Sequence, residues 1–205
     1  MSQASKGRLK RGSFVHQSRQ LERSHQDIMD HELIPIPNVL ANPAWSGQNL
    51  PNIQCSVPGV ERKDDQNNNE RIYTMEHVNI QYPADSWTRV YTDGSADQAV
   101  KNGGAGVYIT YPGGEEDKIS LATGLLSTNF KAEAFAIQKG ADHVENSPHT
   151  TTNIVFLSDA LSVLQAIQTN KDKELNKLFS TLAALGGNHN VHLQWIPSHC
   201  NVFWK

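Results

Sequence analysis

Hydrophobic and polar positions change period repeatedly after Trp87, and turn residues separate one pattern from the next. Residues 89–93, RVYTD, are β-branched and aromatic, which predicts a strand brought to its end by the Asp93-Gly94 pair. A glycine-rich turn, KNGG, leads to residues 106–111, where Val107, Ile109 and Tyr111 alternate with Tyr108 and Thr110 as in a half-buried strand. The PGGEED turn precedes a third strand near 119–122, and turns this short join antiparallel neighbours. Over 129–145 the period lengthens, and Phe130, Ala134, Ile137, Ala141 and Val144 form an apolar helical stripe with Glu133 at its edge. Residues 154–157, IVFL, are an unbroken apolar run, the pattern of a strand buried on both faces, and Ser158-Asp159 ends it. A helix is predicted over 160–168. Another spaces Leu175, Leu178, Leu182 and Leu185 on one face and stops at Gly186-Gly187, a suitable C-terminal cap. The last strand, 191–196, alternates Val191, Leu193 and Trp195 with more polar neighbours.

Three strands, a helix, a strand, one or two helices and a final strand predict an α/β fold. An antiparallel meander followed by strand-helix-strand crossovers makes a mixed sheet, because crossovers return the chain parallel. The apolar fourth strand belongs at its centre. If it lies beside the first strand and parallel to it, Asp93 and Asp159 share the carboxyl-end edge where such sheets hold ligands.

Upstream the texture differs. Residues 32–70 carry many chain breakers, in LIPIPNVLANPAWSGQNLPNIQCSVPG and the polar run ERKDDQNNNE, and keep no period of 2 or 3.6. A short helical pattern with poor caps precedes them at 14–29. The expected organisation is a basic arm at 1–30, a Pro/Asn-rich linker or connector at 31–85 and an ordered domain at 86–205.

The 205 residues suit one domain with an appendage, and the formal net charge of -3 argues against a uniformly basic nucleic-acid binder. The charge is uneven, however: Lys6, Arg8, Lys10, Arg11, Arg19 and Arg23 face only Glu22 in the first 24 residues, a segment that attracts polyanions or is simply solvated. Cys55 and Cys200 match no zinc or redox spacing, which points to a reduced intracellular protein, cytoplasmic or nuclear. No apolar run reaches membrane-span length and the first residues lack the hydrophobic segment of a signal peptide, so no membrane partner is expected.

Asp93, Glu133 and Asp159 each admit a plain structural explanation: a strand terminus, a solvated residue beside an apolar stripe, a helix cap. Together they are harder to explain so. The topology draws all three toward one edge, and close carboxylates repel unless a cation neutralises them. Hard divalent cations choose oxygen ligands, and magnesium uses a few carboxylates while keeping waters and phosphate oxygens.

The segments YTDGSA, NGGAGVY, STNFKAEAFAI, FLSDALSVLQAI and QWIPSHC, in this order over roughly 87–203, resemble the type 1 ribonuclease H domains, especially those of retrotransposons that lack long terminal repeats. The basic and proline-rich region upstream is similar to the connector between polymerase and ribonuclease H in such elements. The resemblance implies a mixed five-stranded sheet with packed helices and metal-dependent hydrolysis of the RNA strand of RNA-DNA hybrids. Asp93, Glu133 and Asp159 would be three of four metal-binding carboxylates, holding Mg2+ or, as a substitute, Mn2+. His199 would assist proton transfer or product release, or be an ordinary loop histidine. Two ions about 4 Å apart would activate water and stabilise the leaving 3' oxygen, giving 5' phosphate products.

Gly94, Ser95, Asn102 and Asn129 match positions that contact nucleic acid in the family, where RNA is told from DNA by its 2'-hydroxyls in a shallow groove. Their alternatives are turn glycine, turn residues and, for Asn129, a helix N-cap. The family continues past the histidine loop into a helix bearing the fourth carboxylate, whereas this chain reads Asn201-Val202-Phe203-Trp204-Lys205 and stops. The resemblance thus implies a truncated domain, with the last helix missing and cleavage impaired. A retroelement remnant that binds nucleic acid without cutting it is the alternative, and an interaction protein on the same fold a third; the oligomeric state stays open.

Overall fold

The computed structural model describes residues 50–60, 68–98, 101–169 and 172–198. The basic arm, the helical pattern at 14–29, His199 and Cys200 lie outside them. The elements are β1 (Asn52–Gln54), α1 (Asn68–Gln81), β2 (Thr88–Asp97), β3 (Lys101–Thr110), β4 (Glu116–Gly124) and α2 (Asn129–Asn146), then β5 (Asn153–Ser158), α3 (Leu161–Thr169), a 3-10 turn (Lys173–Leu175), α4 (Asn176–Asn188) and β6 (Asn190–Trp195).

They form one mixed α/β sheet in the order β1-β6-β5-β2-β3-β4. The β2-β3-β4 meander is antiparallel, and β2-β5, β5-β6 and β1-β6 are parallel. The sheet thus has six strands rather than the five expected. The extra one, β1, pairs Asn52 with His192 through Gln54 with Gln194 at the edge beyond β6. Three residues among chain breakers leave no period to read.

Alternation along the strands sorts their side chains into two cores. On one face Val90, Val107, Phe156 and Leu193 pack with Ile137 and Val144 of α2 and with the apolar stripes of α3 and α4. Gly140 lets α2 lie close over β2, since a Cβ there would stand 2.8 Å from Val90 Cγ1. On the other face Tyr91, Val155 and Leu157 pack with Val78 and Tyr82. Both faces of the IVFL run are therefore buried, and α1 supplies the second cover.

That helix lies inside the segment expected to be linker. Its buried side carries little apolar surface, Thr74 and Val78, while Ile72 and Ile80 are 60% and 64% exposed, which is why no core-facing stripe was visible. Polar contacts hold it instead. Gln194, fully buried on β6, accepts from Tyr82 Oη at 3.2 Å, meets His77 Nε2 at 3.2 Å and donates to the Ser56 carbonyl at 3.0 Å. Arg89 closes the C-terminal end of α1, its Nε donating to the Tyr82 carbonyl at 2.8 Å and Nη2 to Asn79 Oδ1 at 3.1 Å.

Three local expectations are corrected. Asp93-Gly94 does not end β2, which continues to Asp97 because β3 still pairs with it. KNGG belongs to β3 rather than to the turn, with Gln98 and Asn102 in the left-handed region at φ 49° and 48°. Gly186-Gly187 does not stop α4: packing of Leu182 and Leu185 carries the helix through to Asn188, and the His189 N–H caps Leu185 O at 3.0 Å.

If α1 is an integral cover, Tyr82→Ala should destabilise the fold by about 3–5 kcal/mol in urea denaturation, whereas Ile72→Ala should stay within about 0.5 kcal/mol. Equal effects would mean that α1 does not pack as described.

Candidate active site

The parallel β2-β5 ladder ends at the pair Thr92–Ser158, so the next residues, Asp93 still on β2 and Asp159 just past the end of β5, follow side by side. Helix α2 lies against β2, and Glu133 stands in its second turn. The structure brings the three carboxylates together: one oxygen from each lies within 4.8 Å of the others. Asp93 is exposed, and Glu133 and Asp159 are partly buried.

Local chemistry fixes each bearer. Thr128, in extended backbone, caps α2 by accepting from the Lys131 N–H at 3.2 Å, so the N-cap is Thr128 and not Asn129. Asn129 Oδ1 instead accepts from the Ala96 N–H at 2.7 Å, tying the end of β2 to the start of α2. Gly94 gives clearance. A Cβ at this position would stand 2.5 Å from the Ala132 carbonyl carbon and 2.6 Å from Glu133 Cα. Beyond β5, the Asp159 carbonyl accepts from the Leu161 N–H at 2.8 Å and the Trp195 indole N–H at 3.2 Å, while Ile196 N–H bonds Ser158 O at 3.0 Å.

Burial first, then the charge of Asp159 and more weakly that of Asp93, push the Glu133 carboxyl from 4.5 up to about 8, against the opposing hydrogen bond from the Gly94 amide. Glu133 Oε2 is buried with no hydrogen-bond partner among the described residues. A buried carboxylate oxygen without a donor is costly, and a cation shared with two neighbouring acids removes both that cost and their repulsion. The donor set is all oxygen, which suits a hard divalent ion such as Mg2+ or Mn2+ rather than a soft one.

The expected nucleic-acid contacts fall nearby on the chain. Ser95 is exposed on β2, and Asn102, also exposed, donates its N–H to the Leu125 carbonyl at 3.1 Å. Gly94 is pressed against α2, so its lack of a side chain is already required by packing. His199 lies outside the described residues. Trp195 and Thr128 were not singled out from sequence; an alternating strand makes Trp195 read as core, which it also is at 8% exposure, and Thr128 stood beside the more conspicuous Asn129.

The RNase H family profile matches residues 85–203, more than half of the chain. The chain belongs to the RNase H family. Among solved RNase H structures, LC11 RNase H1 from a compost metagenome, crystallised with an RNA/DNA hybrid, is similar at 21% identity and TM-score 0.47, covering 56% of this chain and 88% of that one. RNase H1 of Halobacterium salinarum follows at 15% identity and TM-score 0.47, over 55% and 87%. The N-terminal RNase H domain of a Mycobacterium tuberculosis protein stands at 20% and 0.45, over 55% and 84%. No curated protein matches the chain. No described helix is long and apolar enough to cross a membrane.

The raised carboxyl has a consequence for stability. Because the folded value lies above the unfolded one, Glu133 contributes stability that is complete below pH 4.5 and is lost as pH rises through about 8. In EDTA, urea denaturation should show the parent falling relative to Glu133→Gln between these values, by at least about 1 kcal/mol in total. Saturating Mg2+ should remove most of that fall, and parallel pH profiles in EDTA would refute the electrostatic description.

Proposed function

We propose that the chain hydrolyses the RNA strand of RNA-DNA hybrids in a reaction dependent on Mg2+, which Mn2+ can replace. The observation that carries this reading is the convergence of Asp93, Glu133 and Asp159, with an unpartnered Glu133 oxygen among them, in a chain of the RNase H family. The three carboxylates would hold the ion, which when bound would polarise the scissile phosphate and make water nucleophilic at neutral pH. Glu133 gives up its proton on binding, and the Gly94 amide steadies the carboxylate that results.

Substrate reading falls to the exposed groups around the cluster. Ser95, Asn102 and the Nδ2 side of Asn129 offer donors and acceptors to 2'-hydroxyls, and the Gly94 backbone allows close approach. His199 would assist proton transfer or product release, and the six cations of the first 24 residues add sequence-independent attraction for phosphates. The motifs YTDGSA, FLSDALSVLQAI and QWIPSHC, together with the proline-rich upstream segment, support an origin in a retrotransposon without long terminal repeats. An intracellular setting, nuclear or cytoplasmic, suits such a substrate.

A labelled RNA-DNA hybrid incubated with the full chain and Mg2+ should lose only its RNA strand, into fragments with 5' phosphates, and EDTA should stop the reaction. Asp93→Asn should lower the rate by more than about a hundredfold, beyond the usual cost of losing an outer-shell partner, with little change in thermal unfolding. Hybrid that is bound but left intact in both Mg2+ and Mn2+ would reduce the protein to a nucleic-acid-binding module.

A further inference from the structure

Past Thr92 the edge of β2 that faces β5 has no strand beside it among the described residues. The β2-β5 ladder stops at Thr92–Ser158, whereas β2 continues against β3 to the pair Asp97–Lys101. Backbone donors on such an edge need acceptors. One of them, the Ala96 N–H, finds its acceptor on α2, at Asn129 Oδ1 at 2.7 Å. Asn129 stands four residues, and so about one turn, before Glu133 on the same face of α2, and Ala96 lies three residues beyond Asp93 on β2, so this neutral bond ties strand to helix beside the cluster.

We propose that Asn129 is a positioning residue for the carboxylate cluster: by holding the Ala96 amide, its Oδ1 sets the separation of Asp93 on β2 from Glu133 on α2, and hence the cluster's affinity for a divalent cation. The inference rests on the cluster being a cation site. It gives Asn129 a role beyond the substrate contact that its Nδ2 can still make, because Oδ1 is committed to Ala96.

The test compares the full chain with Asn129→Ala and Asn129→Asp, using calorimetric titration with Mn2+ in the absence of nucleic acid and amide hydrogen exchange at Ala96. Asn129→Ala should lose protection at Ala96 and bind Mn2+ about tenfold more weakly. Asn129→Asp keeps an acceptor oxygen, so it should retain the protection and bind at least as tightly as the alanine variant's parent within a few-fold. At saturating Mn2+, kcat on the hybrid should fall in Asn129→Ala more than KM rises. Parent-like Mn2+ binding by Asn129→Ala, or weakened binding with Ala96 still protected, overturns the proposal, and a rise in KM alone identifies a substrate contact instead. A parent chain that takes up no Mn2+ overturns the reading of the cluster itself, and this inference with it.

Discussion

Mutual repulsion of three acids at the end of the β2-β5 pair is the constraint around which this site is built. Asp93, Glu133 and Asp159 come from two strands and a helix, and nothing in their own chemistry favours the approach of their oxygens to within 4.8 Å. The framework imposes it. Parallel pairing sets Asp93 beside Asp159, the missing side chain at Gly94 lets α2 press onto the strand, and Thr128 fixes where the helix starts. The rise of the Glu133 carboxyl to about 8 comes first from its burial and then from the charges of Asp159 and Asp93. A cation placed among the three oxygens would replace an unfavourable interaction with a favourable one.

The platform beneath the acids depends on its rear cover. β5 is apolar on both sides, so a sheet with helices on one face alone would leave Val155 and Leu157 exposed beside the site. Helix α1 closes that face through a buried amide and a guanidinium rather than through an apolar stripe. Gln194 joins β6, α1 and the residues after β1, and Arg89 joins β2 to the end of α1. Such networks hold firmly when every member is satisfied. The edge strand β1 and the covering helix α1 both precede residue 85, where the family match begins, so the folded body extends upstream of the matched residues.

Periodicity and turn chemistry by themselves determined the order of elements from β2 to β6 and the burial of β5 on both faces, because these depend on patterns within short windows; the sharing of one edge by three acids was an expectation that strand pairing had to fulfil. Segment-level likeness determined the family. What depended on distant partners was decided only by the tertiary structure. β1 exists because β6 offers an edge, α1 docks because Gln194 and Arg89 wait beneath it, and β2 outruns its Asp-Gly pair because β3 continues alongside. The same holds within the site: Asn129 could be read as a cap or a contact, and only the position of Ala96 makes it a tie between strand and helix. Local propensities are weak, about 1 kcal/mol or less per residue, so a hydrogen bond or packed face supplied from elsewhere in the chain overrides them.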